Sequence, residues 1–202
     1  MSNSSVIMVV SAPSGTGKTS ICRSLLRDFP ELRFSVSFTA RKPRKGEVEG
    51  RDYHFVSPET FRDKIQAGEF AEWEENYGHL YGTSRVVIED VRRRGEDILL
   101  DVEPRGARSI KALYPEGVFV FVLPPDLDEL RKRLWKRGDG DEETRNRRFQ
   151  KAKDEIREVF WYDYIVVNDR LEPAIERVRA IYLAEKCRRE RQAGIVASFL
   201  GP

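Results

Sequence analysis

Cysteine and long apolar runs are both scarce in this 202-residue chain. Cys22 and Cys187 are its two cysteines, far apart and without a second cysteine at metal-ligand spacing, which argues against a disulfide framework or a structural zinc site. Both read as reduced thiols. No apolar run approaches the roughly 20 residues that a membrane span needs, so no membrane partner is expected. The opening "MSNSS" lacks the basic start and apolar stretch of a secretion signal, which points to the cytoplasm. Charge of one sign is also missing: 36 basic residues stand against 34 acidic ones, a net of +2. No overall field draws such a chain to nucleic acid, so any anion binding has to come from local arginine clusters. Histidine is limited to His54 and His79, which lie among turn or strand residues with no partner pattern and read as surface or packing groups. Repeats and low-complexity tracts are absent.

What is present is alternation. Short apolar runs at 6–10, 97–102, 118–123 and 164–167 are separated by charged segments with apolar residues at helical spacing, such as Leu127, Leu130 and Leu134. This pattern predicts an α/β fold with three layers, a parallel sheet carrying helices on both faces. Pro58, Pro104 and Pro173 fall where first helical turns should begin, and Gly95 and Gly138 where helices should stop. Between about 34 and 83 the character changes. "RFSVSF", "DYHFV", "EFAEWEE" and "LYGTS" read as short strands joined by turns, a small β-rich insertion. "KRGDGDEETRNRRF" is too polar for core and reads as an irregular flap. The expected partition is a core of 1–33, 84–137 and 158–202, an insertion of 34–83 and a lid of 138–157. The basic segment "AEKCRRERQ" reads as a solvated helical face, with a homo-oligomer contact as the alternative.

The chemistry starts in "SAPSGTGKTS", directly after the strand-like run Val6–Val10 and before the helical "SICRSLLRDF". Strand, glycine-rich loop and helix in this order are the context a P-loop requires. Its backbone N–H groups and the helix N-terminus would cradle the phosphates of ATP across Ala12, Pro13, Ser14, Gly15, Thr16, Gly17, Lys18, Thr19 and Ser20. Lys18 would reach the β/γ oxygens and Thr19 would ligate Mg²⁺. Ala12 takes the first signature position, usually glycine, and a methyl is tolerable there while φ stays negative. "DILLDV" supplies Asp101 at a strand end, where it could orient Mg²⁺ directly or through water. Asn168 follows the strand "DYIVV" and is expected near the adenine side of the loop.

A P-loop does not name the acceptor. Arg41 and Arg44, stiffened by Pro43, and the phenol of Tyr53 suit a terminal phosphate monoester. Guanine offers N1–H and N2–H₂ beside the O6 acceptor, so a selective pocket needs a carboxylate and hydroxyls. Glu72 and Glu103 are candidate carboxylates, Ser37 and Thr83 candidate hydroxyls, and Tyr81 could stack on or flank the base. Arg133 and Arg137 share a helical face and Arg148 lies beyond the polar segment, so the three converge only if that segment closes. Trp73, Trp135 and Trp161 are assigned to packing.

The motifs "SGTGKTS", "SVSFTARKPRKGEVEGRDYHFVS", "GEFAEW", "LYGTS", "LLDVEPRGAR", "VFVLPP" and "DYIVVND", in this order, resemble the guanylate kinase family over almost the whole chain. The resemblance implies ATP-dependent phosphorylation of GMP, and of dGMP, to the diphosphate with release of ADP, assisted by Mg²⁺. It further implies that Ser37, Glu72, Thr83 and Glu103 contact guanine and that Arg41, Arg44, Tyr53 and Tyr81 hold the GMP phosphate. That role for Tyr81 replaces stacking. Asp101 and Arg148 are also assigned to the GMP side, and Arg133, Arg137 and Arg148 to the phosphates of ATP in the lid. Lys18, Arg41, Arg44, Arg137 and Arg148 are the residues expected to act in catalysis. The chain departs from the family pattern at Glu103 (usually Asp), Arg105 (Gln), Ala40 (Thr) and Leu80 (commonly Tyr). Two other readings compete. A related kinase acting on a ribose bisphosphate would have no use for the guanine-facing set, and guanylate-kinase-like scaffold modules typically lack the P-loop lysine that Lys18 supplies here.

Overall fold

The computed structural model describes residues 5–76, 78–137 and 141–200, with the side chains of Arg137 and Leu200 outside that description. The first part of the chain forms β1 (Ile7–Ser11), α1 (Lys18–Asp28), β2 (Arg33–Phe34), β3 (Phe38–Thr39), β4 (His54–Phe55), α2 (Pro58–Gln66), β5 (Phe70–Asn76) and β6 (His79–Ser84). There follow α3 (Arg85–Arg93), β7 (Ile98–Asp101), α4 (Pro104–Leu113), β8 (Val118–Leu123) and α5 (Leu127–Arg137). The last part comprises α6 (Glu142–Ile156), a 3₁₀ turn over Arg157–Trp161, β9 (Tyr164–Val167), α7 (Leu171–Lys186) and α8 (Ala193–Leu200).

A sheet in the order β2-β7-β1-β8-β9 is parallel throughout. Its central strand β1 is wholly buried because successive side chains enter opposite layers. Met8 and Val10 pack with Ile21 and Leu25 of α1 and Val178 and Tyr182 of α7. Ile7 and Val9 pack with Ile88 of α3 and Ala107 and Ile110 of α4. The three-layer α/β expectation is met.

A second sheet, β4-β3-β6-β5, stands apart from the first. Phe61 of α2 stacks on Phe70 of β5 at 4.6 Å between ring centroids. A methyl at Gly82 would stand 3.0 Å from Phe70 and 3.1 Å from Phe61, which is why β6 carries glycine under this ring pair. Ser57 caps α2 by accepting the Thr60 N–H at 3.0 Å, with Pro58 in its first turn.

Three local expectations change. Arg33–Phe34, grouped by pattern with the insertion, pairs with β7 in the large sheet, so the expected boundary at residue 34 cuts β2. The polar stretch read as an irregular flap is helical on both described sides: α5 runs to Arg137, and Asp141 caps α6 by accepting the Thr144 N–H at 2.8 Å. Acidic Glu142 and Glu143 follow in its first turn, so a capped, dipole-matched helix forms without apolar residues at its start. The predicted helix stop at Gly138 lies outside the described residues, as do residues 138–140 of the expected lid and the extreme ends of the expected core. The basic segment near the C-terminus is not one helix, since α7 ends at Lys186 and Arg191 turns back to donate to the carbonyls of Ser5 and Glu116.

One buried carboxylate fastens the edges of this core. Asp97, immediately before β7, accepts the Val6 N–H at 2.7 Å, the Tyr182 hydroxyl at 2.7 Å and the Lys186 ammonium at 2.6 Å. Asp97→Ala would leave the buried Val6 N–H and the Tyr182 hydroxyl hydrogen without acceptors, and is expected to lower unfolding free energy by about 2–4 kcal/mol, read from urea denaturation. A loss below about 0.5 kcal/mol would show that these bonds are replaced by water.

Candidate active site

Gly15 and Gly17 adopt φ of 90° and 93°, the left-handed region that side chains resist, and so bend the chain from β1 into α1. Gly17 also meets a space limit, since a methyl there would stand 2.6 Å from Asn168 Nδ2. Asn168, buried after β9, donates that amide to the Thr16 carbonyl at 2.6 Å and holds the loop from behind. Ala12 is buried, Thr16 donates its hydroxyl to the Pro13 carbonyl at 2.8 Å, and Thr19 and Ser20 lie exposed in the first turn of α1. Leu130 and Leu134 of α5 lie over Gly15, which brings the helix leading to the lid segment against the loop.

Lys18 points across the loop to the end of β7. Its ammonium is 2.7 Å from Asp101 and 3.5 Å from Glu103, and donates to the Val102 carbonyl at 3.0 Å. The parallel register Val10↔Asp101 produces this meeting by ending β7 beside β1. Burial works against the charged ammonium, but Asp101 and Glu103 outweigh it and hold its pKa above the ordinary lysine range.

The insertion presents one face to the same cleft. Pairing of β5 with β6 sets Glu72 opposite Thr83 and Glu74 opposite Tyr81. The Thr83 hydroxyl donates to Glu72 at 2.5 Å. Gly106, in the first turn of α4, lies under this carboxylate, and a methyl there would stand 2.7 Å from Glu72 Oε2. Burial pushes the Glu72 carboxyl up to about 7, against the Thr83 hydrogen bond, and the charge of Lys18 also reaches it. Glu74 is raised as well, by burial and then by Glu103.

Arg41 is buried, with its guanidinium 5.0 and 5.8 Å from the ring centroids of Tyr53 and Phe55. Its Nε donates to the Tyr81 hydroxyl at 3.1 Å, and its two terminal nitrogens grip Glu47 at 2.6 and 2.7 Å. Ser37 is half-buried just before β3, and the Arg44 side chain is exposed on the following loop. Burial raises the Tyr53 phenol, and the charges of Lys18 and Asp101 also reach it. Contacts and electrostatic reach thus link the expected groups: Lys18 with Asp101 and Glu103, Arg41 with Tyr53 and Tyr81, Glu72 with Thr83, and Lys18 with both Glu72 and Tyr53.

The expected lid residues are divided. Arg133 donates to the carbonyls of Asn168 at 3.0 Å and Asp169 at 3.4 Å, so it sits beside the loop's supporting asparagine. Arg148 is half-buried on α6, and the side chain of Arg137 lies outside the described residues. From α6, Lys151 donates to Asn76 of β5 at 3.2 Å and lies 3.5 Å from Glu155, joining that helix to the insertion. Glu155 is pushed up to about 7 by burial and by Glu103. Glu47, Glu74, Gly106, Lys151 and Glu155 were missed in the sequence. Only Glu74 left a signal there, two residues after Glu72 and therefore on the same strand face.

A parallel sheet whose first strand turns through a lysine-bearing P-loop, facing a cleft lined by arginine, tyrosines and paired carboxylates, defines a P-loop phosphotransferase. The family model described as Guanylate kinase matches residues 4–185. The chain belongs to the guanylate kinase family. A guanylate kinase of Syntrophus aciditrophicus is 54% identical over 193 residues, covering 96% of this chain and 93% of the relative. One from Geobacter sulfurreducens is 47% identical, covering 98% of each. The crystal structure of guanylate kinase from Anaplasma phagocytophilum superposes with a TM-score of 0.77 at 34% identity, covering 93% of this chain and 89% of the other.

The raised Glu72 carboxyl has a consequence for stability. Between its ordinary value of 4.5 and about 7, the folded chain keeps a proton that the unfolded chain has lost, so stability falls as pH rises through that window. Glu155 contributes in the same direction, so the Glu72 share is a difference between two proteins. Glu72→Gln is expected to gain on the unsubstituted protein by on the order of 1–2 kcal/mol between pH 5 and pH 8 in urea unfolding. A constant gap across that range would refute the assignment.

Proposed function

We infer that the protein transfers the γ-phosphoryl group of ATP to GMP, yielding ADP and GDP. The observation that carries this reading is the Glu72–Thr83 pair at 2.5 Å, facing the same cleft as the Lys18–Asp101 pair at 2.7 Å. The carboxylate matches the adjacent donors of guanine, and Thr83, whose single hydroxyl hydrogen goes to Glu72 in this structure, would turn it to O6 when the base binds. Adenine would leave buried polar groups unpaired, a mismatch that can cost a factor of about 10⁴.

In this reading the loop from Ala12 to Ser20 holds the ATP phosphates by its N–H groups, with Lys18 on the transferred group. Asn168 keeps the loop in shape and Arg133 supports the adenine side, while Arg137 and Arg148 approach the phosphates from the lid. Arg41, Arg44, Tyr53 and Tyr81 hold the GMP phosphate, and Ser37, Glu72, Thr83 and Glu103 face the base. The insertion of about 34–83 and the segment 138–157 act as two closing parts on the core. Closure excludes water, so that ATP is not hydrolysed without an acceptor. The attacking phosphate oxygen is already ionised at neutral pH, so no general base is required. Positioning two anions against their repulsion is the main task. The residues assigned to GMP face the base and the phosphate, which GMP and dGMP share, so dGMP is taken as an alternative acceptor. Cytoplasmic ATP and GMP pools and the unpaired Cys22 and Cys187 fit a reducing compartment.

Mg²⁺ fits the donor set. The exposed Thr19 hydroxyl and the Asp101 carboxylate are hard oxygen donors on either side of the loop, and Mg²⁺ needs only one or two such ligands beside phosphates and water. When bound it would spread the charge of the donor phosphates.

ADP release from Mg-ATP should be rapid with GMP and dGMP and lower by at least about a hundredfold in kcat/KM with AMP or a ribose bisphosphate. Equal rates with AMP and GMP would remove the guanine pocket. Lys18→Ala should abolish turnover and keep the fold by circular dichroism, whereas Glu72→Ala should raise the KM for GMP and leave that for ATP within about twofold. Gly106→Ala should push Glu72 from its place and raise the KM for GMP roughly tenfold, an effect of about 1.4 kcal/mol. An unchanged GMP KM in that variant would mean that Glu72 is not a base-contacting group.

A further inference from the structure

The acceptor site contains a carboxylate to which the phosphotransfer reading gives no task. Glu47 is engaged on nearly every side. Its Oε1 accepts from Arg41 Nη2 at 2.6 Å, and its Oε2 accepts from Arg41 Nη1 and from the Arg44 backbone N–H, both at 2.7 Å. Its own N–H donates to the Arg44 carbonyl at 3.1 Å. Side-chain exposure is 6% for Arg41 and 20% for Glu47.

A guanidinium has five N–H donors. In Arg41, one goes to the Tyr81 hydroxyl, one to the Lys42 carbonyl and two to Glu47. Among the described residues, one N–H of Nη2 is left, so Arg41 cannot offer an incoming phosphate a two-pronged grip without giving up either Tyr81 at Nε or Glu47 at its terminal nitrogens. The Tyr81 oxygen, having accepted from Arg41, has its own hydrogen directed elsewhere, and its ring meets that of Tyr53 at 5.9 Å between centroids.

We propose that Glu47 is a positioning residue for the phosphate of the acceptor nucleotide, locking Arg41 so that Arg41 in turn orients the Tyr81 hydroxyl. This rests on the reading of the cleft as a GMP site. The phosphate is then met by the Tyr81 and Tyr53 hydroxyls, the remaining Arg41 N–H and the two-pronged grip of the exposed Arg44. Arg41 acts as a fixed positive charge, oriented in advance and costing little reorganisation on binding. The opposite arrangement, with Glu47 as a stand-in that yields Arg41 to the phosphate, is disfavoured by the same geometry. The Arg44 N–H anchors the carboxylate within a short turn, and a released Glu47 would set its negative charge beside a phosphate dianion.

The test compares the unsubstituted protein, Glu47→Gln, Glu47→Asp, Tyr81→Phe and the Glu47→Gln/Tyr81→Phe pair, with GMP and ATP kinetics and GMP calorimetry. Glu47→Gln keeps the shape and loses the charge, and should raise both KM and Kd for GMP roughly tenfold or more with the ATP KM within about twofold. Glu47→Asp restores the charge and should recover part of that loss, which also covers the case of a Glu47→Gln chain that does not fold. In the Tyr81→Phe background, Glu47→Gln should cost markedly less than it does alone, because the two changes break one relay. An unchanged or lowered GMP KM in Glu47→Gln overturns the proposal, as does a full additive cost in the double variant or a Glu47→Asp chain no better than Glu47→Gln. A protein that does not phosphorylate GMP at all overturns the reading beneath it, whereas normal GMP turnover with indifferent Glu47 variants overturns the proposal alone.

Discussion

The ammonium of Lys18 is taken out of water, and Asp101 at 2.7 Å and Glu103 at 3.5 Å make that tolerable. Desolvation of an isolated ammonium costs several kcal/mol, so the P-loop lysine depends on carboxylates supplied by another segment. That segment is the turn from β7 into α4. Three residues beyond Glu103, Gly106 forms the surface against which the Glu72 carboxylate lies. One short stretch thus balances the charge of Lys18 and shapes the seat of the Glu72 carboxylate. The parallel register of β7 with β1 fixes both, because it decides where β7 ends relative to the loop.

The same principle explains why the cleft's cations already have carboxylate partners. Lys18 is held by Asp101 and Glu103, and Arg41 by Glu47. A site that brings two phosphates together needs concentrated positive charge, and concentrated positive charge in a half-buried cleft repels itself without counter-ions. Carboxylate partners keep the cost of holding Lys18 out of water low, and its ion pair lies across the loop. Arg41 differs in that its carboxylate partner is clamped in the same turn as Arg44, whereas Lys18 draws its partners from the turn after β7.

How much of this was legible in the sequence follows from the range of each interaction. The loop from Ala12 to Lys18 is written locally, in glycines that take positive φ and a lysine at fixed spacing, so its conformation could be read directly. Glu72, Thr83, Tyr81 and Arg41 could be named from motifs, but their convergence depends on the register of β5 with β6, which shifts between Phe70 and Glu72. Alternation counted across that irregularity does not say which residues are opposed. The Arg33–Phe34 pair was misassigned because two residues carry no period, and only pairing with β7 decides the sheet they join. The polar segment looked irregular because its helix start is specified by a cap at Asp141 and by acidic residues, without an apolar stripe. Glu47 was hidden among charges: a glutamate in a basic, glycine-containing loop reads as solvated until the backbone turn that folds it onto Arg41 is known.

The acids on the cleft's far side complete the electrostatic picture. Glu72 and Glu155 are both pushed to about 7, each chiefly by burial, and Glu74 is raised by burial and Glu103. They come from different parts of the chain, β5 and α6, yet Glu103 lies within electrostatic reach of Glu74 and Glu155. Adding negative charge to one therefore disfavours ionisation of the others. Lys151 is the cation set among them, 3.5 Å from Glu155 and bonded to Asn76 at the end of β5. A helix from the segment expected to close and a strand from the insertion are thereby joined through a lysine whose hold on Glu155 strengthens as that acid ionises. Lys151 and Glu155 lie four residues apart on the same helix, so that ion pair orients the lysine within α6, and the bond from Lys151 to Asn76 is the contact that reaches the insertion.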